Sequence, residues 1–156
     1  MKIKLLVMDV DGTLTDGRIY IGASGEVMKA FDIRDGYAIA HMLPEMGIIP
    51  VIITGRESEI VSRRAEELRI EETHQGISDK LPKLQEIAEK RGVTLKETAY
   101  IGDDLYDLPC IRACGYTGCP KDAVDEIVEA VDYVCAHESG RGAVREFINH
   151  IRKTHV

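Results

Sequence analysis

The chain has 156 residues, the length of one ordinary domain with a single substantial core, and residues 1–156 are read as one unit. A content of 44% hydrophobic and 30% charged residues argues against disorder and for a soluble globular protein. The formal charge of −7, with scattered basic residues, excludes nucleic acid as an expected partner. Absence of a long apolar run or a signal-peptide pattern makes membrane association unexpected and points to a cytoplasmic location.

In chain order, the apolar run at 5–8 reads as part of a strand over about 3–8, buried on both faces. It ends in Asp9-Val10-Asp11-Gly12-Thr13-Leu14-Thr15. Two β-prone runs, 18–21 and 26–31, flank Gly22-Ala23-Ser24-Gly25 and predict a hairpin over about 18–31. Asp35-Gly36 is read as opening a helix over about 37–46, with Pro44 kinking it or starting its last turn and Gly47 ending it. A second core strand spans 48–53 and ends at Thr54-Gly55-Arg56. A helix over 59–68, a short strand near 73–75 and a helix from Lys80 to about Arg91 follow. Residues 98–101 form a third core strand that ends in Gly102-Asp103-Asp104-Leu105-Tyr106-Asp107. The remaining expectations are a helix over 108–114, a strand or extended loop at 116–119, a helix over 122–130, a strand at 133–135 and a helix over 143–153. Strands alternating with helices predict an α/β fold: a Rossmann-like doubly wound parallel sheet with helices on both faces and a β-hairpin insertion after the first strand.

The four cysteines, Cys110, Cys114, Cys119 and Cys135, lack the close pairing of a zinc site and read as small buried hydrophobes in a reducing compartment. The carboxylates carry more information. Asp9 and Asp11 sit at the open end of a buried strand, where they repel each other and lose solvation unless a cation or a reaction uses them. Strand ends of a doubly wound sheet converge on one edge, so Asp9, Asp11, Thr54 and Asp103 are expected to meet there. Taken singly, Thr-Gly after a strand is a turn, a lone Lys is surface and Asp-Asp before a helix is a cap. Their order behind Asp9 makes them a constellation.

That constellation resembles the haloacid dehalogenase superfamily, whose phosphatases form an aspartyl-phosphate. Asp9-Val10-Asp11, Thr54, Lys80 and Gly102-Asp103-Asp104-Leu105-Tyr106-Asp107 occur in the superfamily's order over most of the chain. The resemblance implies Asp9 as nucleophile and Asp11 as general acid and base. It implies Mg²⁺ held by Asp9, Asp103, the Asp11 main-chain carbonyl and Asp104, which suits magnesium's preference for oxygen ligands. Thr54 and Gly55 would hydrogen-bond the phosphoryl group, and Lys80 would offset negative charge. Asp107 is read as supporting Lys80 or its own loop. A receiver domain has similar residues, but its phospho-accepting Asp follows a middle strand, and strand 48–53 ends in Thr54 instead.

Neither the segment between Asp11 and Thr54 nor that between Thr54 and Asp103 has room for a folded cap. The chain closely resembles the capless 3-deoxy-D-manno-octulosonate 8-phosphate phosphatases. The strings that carry this are Asp9 to Gly17, Phe31 to Gly36, Ile53 to Ser58, Gln75 to Lys80, Tyr100 to Asp104 and Gly140 to Glu146. The resemblance implies a homotetramer assembled through the hairpin, with a neighbouring subunit acting as cap. The implied substrate carries a phosphate and a carboxylate. Arg56, Arg34 and Arg141 are candidate cations for the acid end, since guanidinium grips carboxylates bidentately. Gly140-Arg141-Gly142 is flexible enough to fold over its own site or a neighbour's. The alternatives are a nine-carbon keto-acid sugar phosphate as substrate and a catalytically idle regulatory domain.

Overall fold

The computed structural model describes residues 2–155. A six-stranded parallel sheet runs through the molecule in the order β5-β4-β1-β6-β7-β8. Its strands are β1 (Leu5–Met8), β4 (Ile49–Ile53), β5 (Glu72–His74), β6 (Thr98–Ile101), β7 (Tyr116–Cys119) and β8 (Tyr133–Val134). β1 lies between β4 and β6, with Leu5 opposite Ile49 and Thr98 and Met8 opposite Ile52 and Ile101. All four β1 residues are buried, as a central parallel strand requires.

Alternation along β1 divides the core. Leu6 and Met8 join one hydrophobic cluster, Leu5 and Val7 the other. The first cluster packs under the helical stretch that opens with α1 (Ile33–Tyr37) and buries Ala38, Ile39 and Met42 before α2 (Leu43–Glu45), and under α3 (Glu59–Glu67) and α7 (Ala143–Thr154). The second packs under α4 (Lys80–Arg91), α5 (Leu108–Ala113) and α6 (Asp125–Val128). Helices thus cover both faces. On α7, Val144, Phe147, Ile148 and Ile151 recur at helical spacing and are fully buried. Gly118 in β7 lets Phe147 approach, since a Cβ there would overlap the Phe147 ring. The four cysteines are buried and free, and burial pushes the Cys110 and Cys119 thiols up to about 12. Among the described residues, no helix is long and apolar enough to cross a membrane.

β2 (Tyr20–Gly22) and β3 (Gly25–Met28) form a separate antiparallel pair between β1 and α1. Ile21 and Val27 on this pair are 68% and 60% exposed.

Two segments differ from the sequence expectation. The helix expected to open at Asp35-Gly36 begins earlier, because Asp32 is its N-cap and accepts the Arg34 and Asp35 main-chain N–H groups. Asp35 is instead buried in the first turn, where its Oδ1 accepts the Arg145 main-chain N–H at 2.8 Å. Beyond Tyr37 the helix widens into a π turn over Ala38–Met42, closed by the Leu43 N–H to the Ala38 carbonyl. Pro44 has no N–H to offer the carbonyl four residues back, so the helix is wide just before it and resumes as α2. The helix expected over 122–130 is reduced to Asp125–Val128.

Candidate active site

The carboxyl ends of β1, β4 and β6 open onto one cleft of about 380 Å³, lined among others by Asp9, Asp11, Gly55, Arg56, Lys80, Asp103 and Asp104. Asp9 follows β1 directly and is tied to β6 by its N–H to the Ile101 carbonyl at 3.1 Å. The next loop folds back on itself, with the Val10 carbonyl accepting N–H groups from Thr13, Leu14 and Thr15. Gly12 sits at a φ of +85°, and a Cβ there would overlap Asp103 Oδ2. Only glycine allows both that turn and the close approach of the β6 loop.

Thr54 is buried at the end of β4, its N–H bound to the His74 carbonyl at 2.9 Å. Its own carbonyl accepts the Ile77 N–H at 3.0 Å, which draws the segment before α4 toward the cleft. Lys80, the first residue of α4, is thereby placed inside. Its Nζ donates to Asp9 Oδ1 at 2.8 Å and to Asp107 Oδ1 at 2.7 Å, with the side chain only 3% exposed. Burial disfavours the Lys80 charge, but Asp9 and Asp107 outweigh it and raise its pKa.

Asp9, Asp103 and Asp107 each bring an oxygen within 4.8 Å of the others. The Asp107 oxygens are already engaged. Oδ1 accepts Lys80 and the buried Tyr100 hydroxyl at 2.6 Å, and Oδ2 accepts the Asp103 and Asp104 main-chain N–H groups at 3.0 and 3.3 Å. Asp107 thus braces the site, with both of its oxygens held by donors of the chain. Asp9 and Asp103 differ from it. Burial foremost, and then neighbouring carboxylates, raise both pKa values. Asp103 Oδ1 is buried with no partner among the described residues. Two desolvated carboxylates short of counter-charge, one with an orphaned oxygen, fit a hard divalent cation bound through oxygen.

The other expected residues divide. Arg56 lines the cleft and is 47% exposed. Asp104 lies at its rim, where Oδ1 accepts the Leu105 N–H at 2.7 Å. Arg34 and Arg141 are not brought to this cleft: Arg34 pairs with Asp32 and Arg141 with Glu138. Two contacts had no signal in the sequence. Tyr100 looked like any core strand residue. Lys29, just after β3, places its Nζ 2.6 Å from Asp11 Oδ1 and 3.0 Å from Glu26 Oε2. Burial works against the Lys29 charge, yet these two carboxylates raise its pKa.

A carboxylate at a central strand end, clamped by a buried lysine, with a second carboxylate two residues on lining the same cleft, fits the phosphate-handling class of doubly wound proteins. Residues 67–148 match the haloacid dehalogenase-like hydrolase family. The 3-deoxy-D-manno-octulosonate 8-phosphate phosphatase KdsC of Escherichia coli K12 is 43% identical over 144 residues, covering 92% of this chain and 76% of that protein. The crystal structure of a Moraxella catarrhalis 3-deoxy-D-manno-octulosonate 8-phosphate phosphatase, in complex with a magnesium ion, a phosphate ion and a KDO molecule, superposes with a TM-score of 0.93 at 42% identity. That match covers 98% of this chain and 87% of the other. The cobalt-bound form of a deoxy-D-mannose-octulosonate 8-phosphate phosphatase from Haemophilus influenzae gives a TM-score of 0.93 at 39% identity, over 97% of this chain and 88% of that one. The chain belongs to the haloacid dehalogenase-like hydrolases, and within them to the 3-deoxy-D-manno-octulosonate 8-phosphate phosphatase family.

Proposed function

We propose that this protein is a Mg²⁺-dependent phosphatase converting 3-deoxy-D-manno-octulosonate 8-phosphate to the free sugar acid and phosphate. The observation that carries this is the buried Lys80 bridge, 2.8 Å to Asp9 and 2.7 Å to Asp107, beside the unsatisfied Asp103. Asp9 attacks phosphorus as the bond from phosphorus to the sugar oxygen breaks. Asp11 gives that oxygen a proton. Water then attacks the aspartyl-phosphate, yielding its proton to Asp11, and the bond to Asp9 breaks to release phosphate. Lys80 holds Asp9 in one orientation throughout and offsets charge beside it. Thr54 and the Gly55 amide bind the phosphoryl oxygens, and Arg56 receives the sugar acid. Asp9 and Asp103, with the Asp11 main-chain carbonyl, would hold Mg²⁺, which when bound supplies the positive charge that lets two anions meet. Asp104, already capping the next turn, completes the acidic rim.

The reading includes a homotetramer in which a neighbour closes the open cleft. Exposed Ile21 and Val27 on the hairpin support it, as does the placement of Arg34 and Arg141 outside the cleft of their own chain, where a neighbour's substrate is a natural partner. Four free, buried cysteines fit a reducing, cytoplasmic setting.

The test is phosphate release with Mg²⁺ and with chelator, across eight-carbon and nine-carbon keto-acid phosphates and hexose phosphates. The expected result is Mg²⁺-dependent preference for the eight-carbon acid. Preference for a nine-carbon acid would overturn the substrate. No turnover of any of them would overturn the enzyme.

A further inference from the structure

Asp11 is held by something outside its own loop. Its Oδ1 accepts the Lys29 ammonium at 2.6 Å, while Oδ2 is buried with no partner among the described residues. The Lys29 side chain is 1% exposed and the Asp11 side chain 20%, so the contact is half-buried and not an open surface pair. Lys29 is itself fixed by Glu26 Oε2 at 3.0 Å. Glu26 Oε1 in turn accepts the Ser58 hydroxyl at 2.6 Å, and Ser58 is the N-cap of α3, four residues beyond Thr54. A continuous chain of contacts therefore runs from the Asp11 carboxylate, through the hairpin, to the loop that follows β4.

We propose that Lys29 is the positioning residue for Asp11. It fixes the carboxylate through one oxygen and so sets the direction of the acid, and Glu26 holds Lys29 in place. The proposal rests on the acid–base role given to Asp11 above. An aspartate on a glycine-containing loop has free rotation about two side-chain bonds, and a donor on one oxygen removes most of it. Proton transfer needs the acid within hydrogen-bond reach of the leaving oxygen, so loss of that alignment slows the chemistry more than it weakens binding. A lysine that simply gripped the substrate phosphate would be expected to face the cleft unpaired. Lys29 spends its donors on two carboxylates instead.

The test exploits leaving groups. A sugar alkoxide needs a proton to depart, whereas nitrophenolate leaves without one. Lys29→Met is measured on 3-deoxy-D-manno-octulosonate 8-phosphate in steady state and on p-nitrophenyl phosphate in a single turnover. We expect kcat on the sugar phosphate to fall about 100-fold with KM within about threefold. Nitrophenolate release in the single turnover should fall less than about threefold. Lys29→Gln repeats the comparison should the Met variant not fold. Equal losses on both substrates, a change confined to KM, or no loss would each overturn the proposal. Asp11→Asn is the control. If it too shows no dependence on the leaving group, the failure lies with the acid–base assignment and not with Lys29.

Discussion

Asp103→Asn offers a direct measure of the charge imbalance at the strand ends. Asp9 and Asp103 oxygens lie within 4.8 Å of each other. At an effective dielectric near 20, charges no farther apart than that repel by at least about 3.5 kcal/mol. Lys80, bound to Asp9 and Asp107, offsets part of it, leaving about 1–3 kcal/mol to be gained by neutralising Asp103 in metal-free protein. Asn is isosteric and keeps the approach to Gly12. For a chain of 156 residues the gain corresponds to a melting temperature higher by about 3–8 °C in chelator at pH 7. Because the folded-state pKa is raised, the parent has its full stability below the ordinary aspartate value of 3.8 and loses it as pH rises through the higher value. The advantage of the variant should therefore vanish near pH 4. Mg²⁺ reverses the comparison: at about a hundredfold excess over its dissociation constant, it should stabilise the parent by about 2.7 kcal/mol and the variant hardly at all. A variant that melts at or below the parent in chelator, or an equal Mg²⁺ response in both, would refute the account.

Asp9→Asn should abolish phosphate release, by about 10³-fold or more, while circular dichroism stays that of the parent; retained turnover would remove Asp9 as nucleophile. Glu72 is buried on the edge strand, where His74, Arg91 and Lys90 overcome the effect of burial and hold its carboxyl down to about 2. Its contribution is complete above the usual glutamate value and is lost as pH falls toward 2. Urea melts of Glu72→Gln should thus show about 1–3 kcal/mol of destabilisation at pH 7, shrinking between about pH 5 and pH 2. Light scattering at working concentration should give a tetramer, and Ile21→Asp on the exposed hairpin should shift it to smaller species. A monomeric parent would end that reading.

The central strands were legible because each is a nearly continuous apolar run, a pattern that few structures other than a buried parallel strand satisfy at that length. Lys80 was legible only through its place in a known order of residues; nothing local distinguishes it from a surface lysine at a helix start. Asp32 and Asp35 lie three residues apart, and either could cap a helix. The choice fell to Asp32 because Asp35 binds the first turn of α7, a contact 110 residues distant that no local pattern encodes. Lys29 and Glu26 were hidden for the same reason. Their outer partners, Asp11 and Ser58, belong to other loops, and the hairpin's alternation says nothing of how it leans on them. The arginines show the limit of chemical type alone: Arg34 and Arg56 are equally good carboxylate ligands on paper, yet only Arg56 lines the cleft.

The distribution of the thiols has a kinetic consequence. Cys110, Cys114 and Cys119 lie under the α4–α6 layer, and Cys135 lies under the layer that contains α7. All are buried, and their pKa values are raised, so a disulfide reagent added to native protein has almost no thiolate to attack until a layer lifts. The rate of labelling at each position then counts opening events, with three reporters on one side of the sheet and one on the other. Mass spectrometry of the labelled protein would reveal which side breathes first, with no probe introduced and no residue replaced.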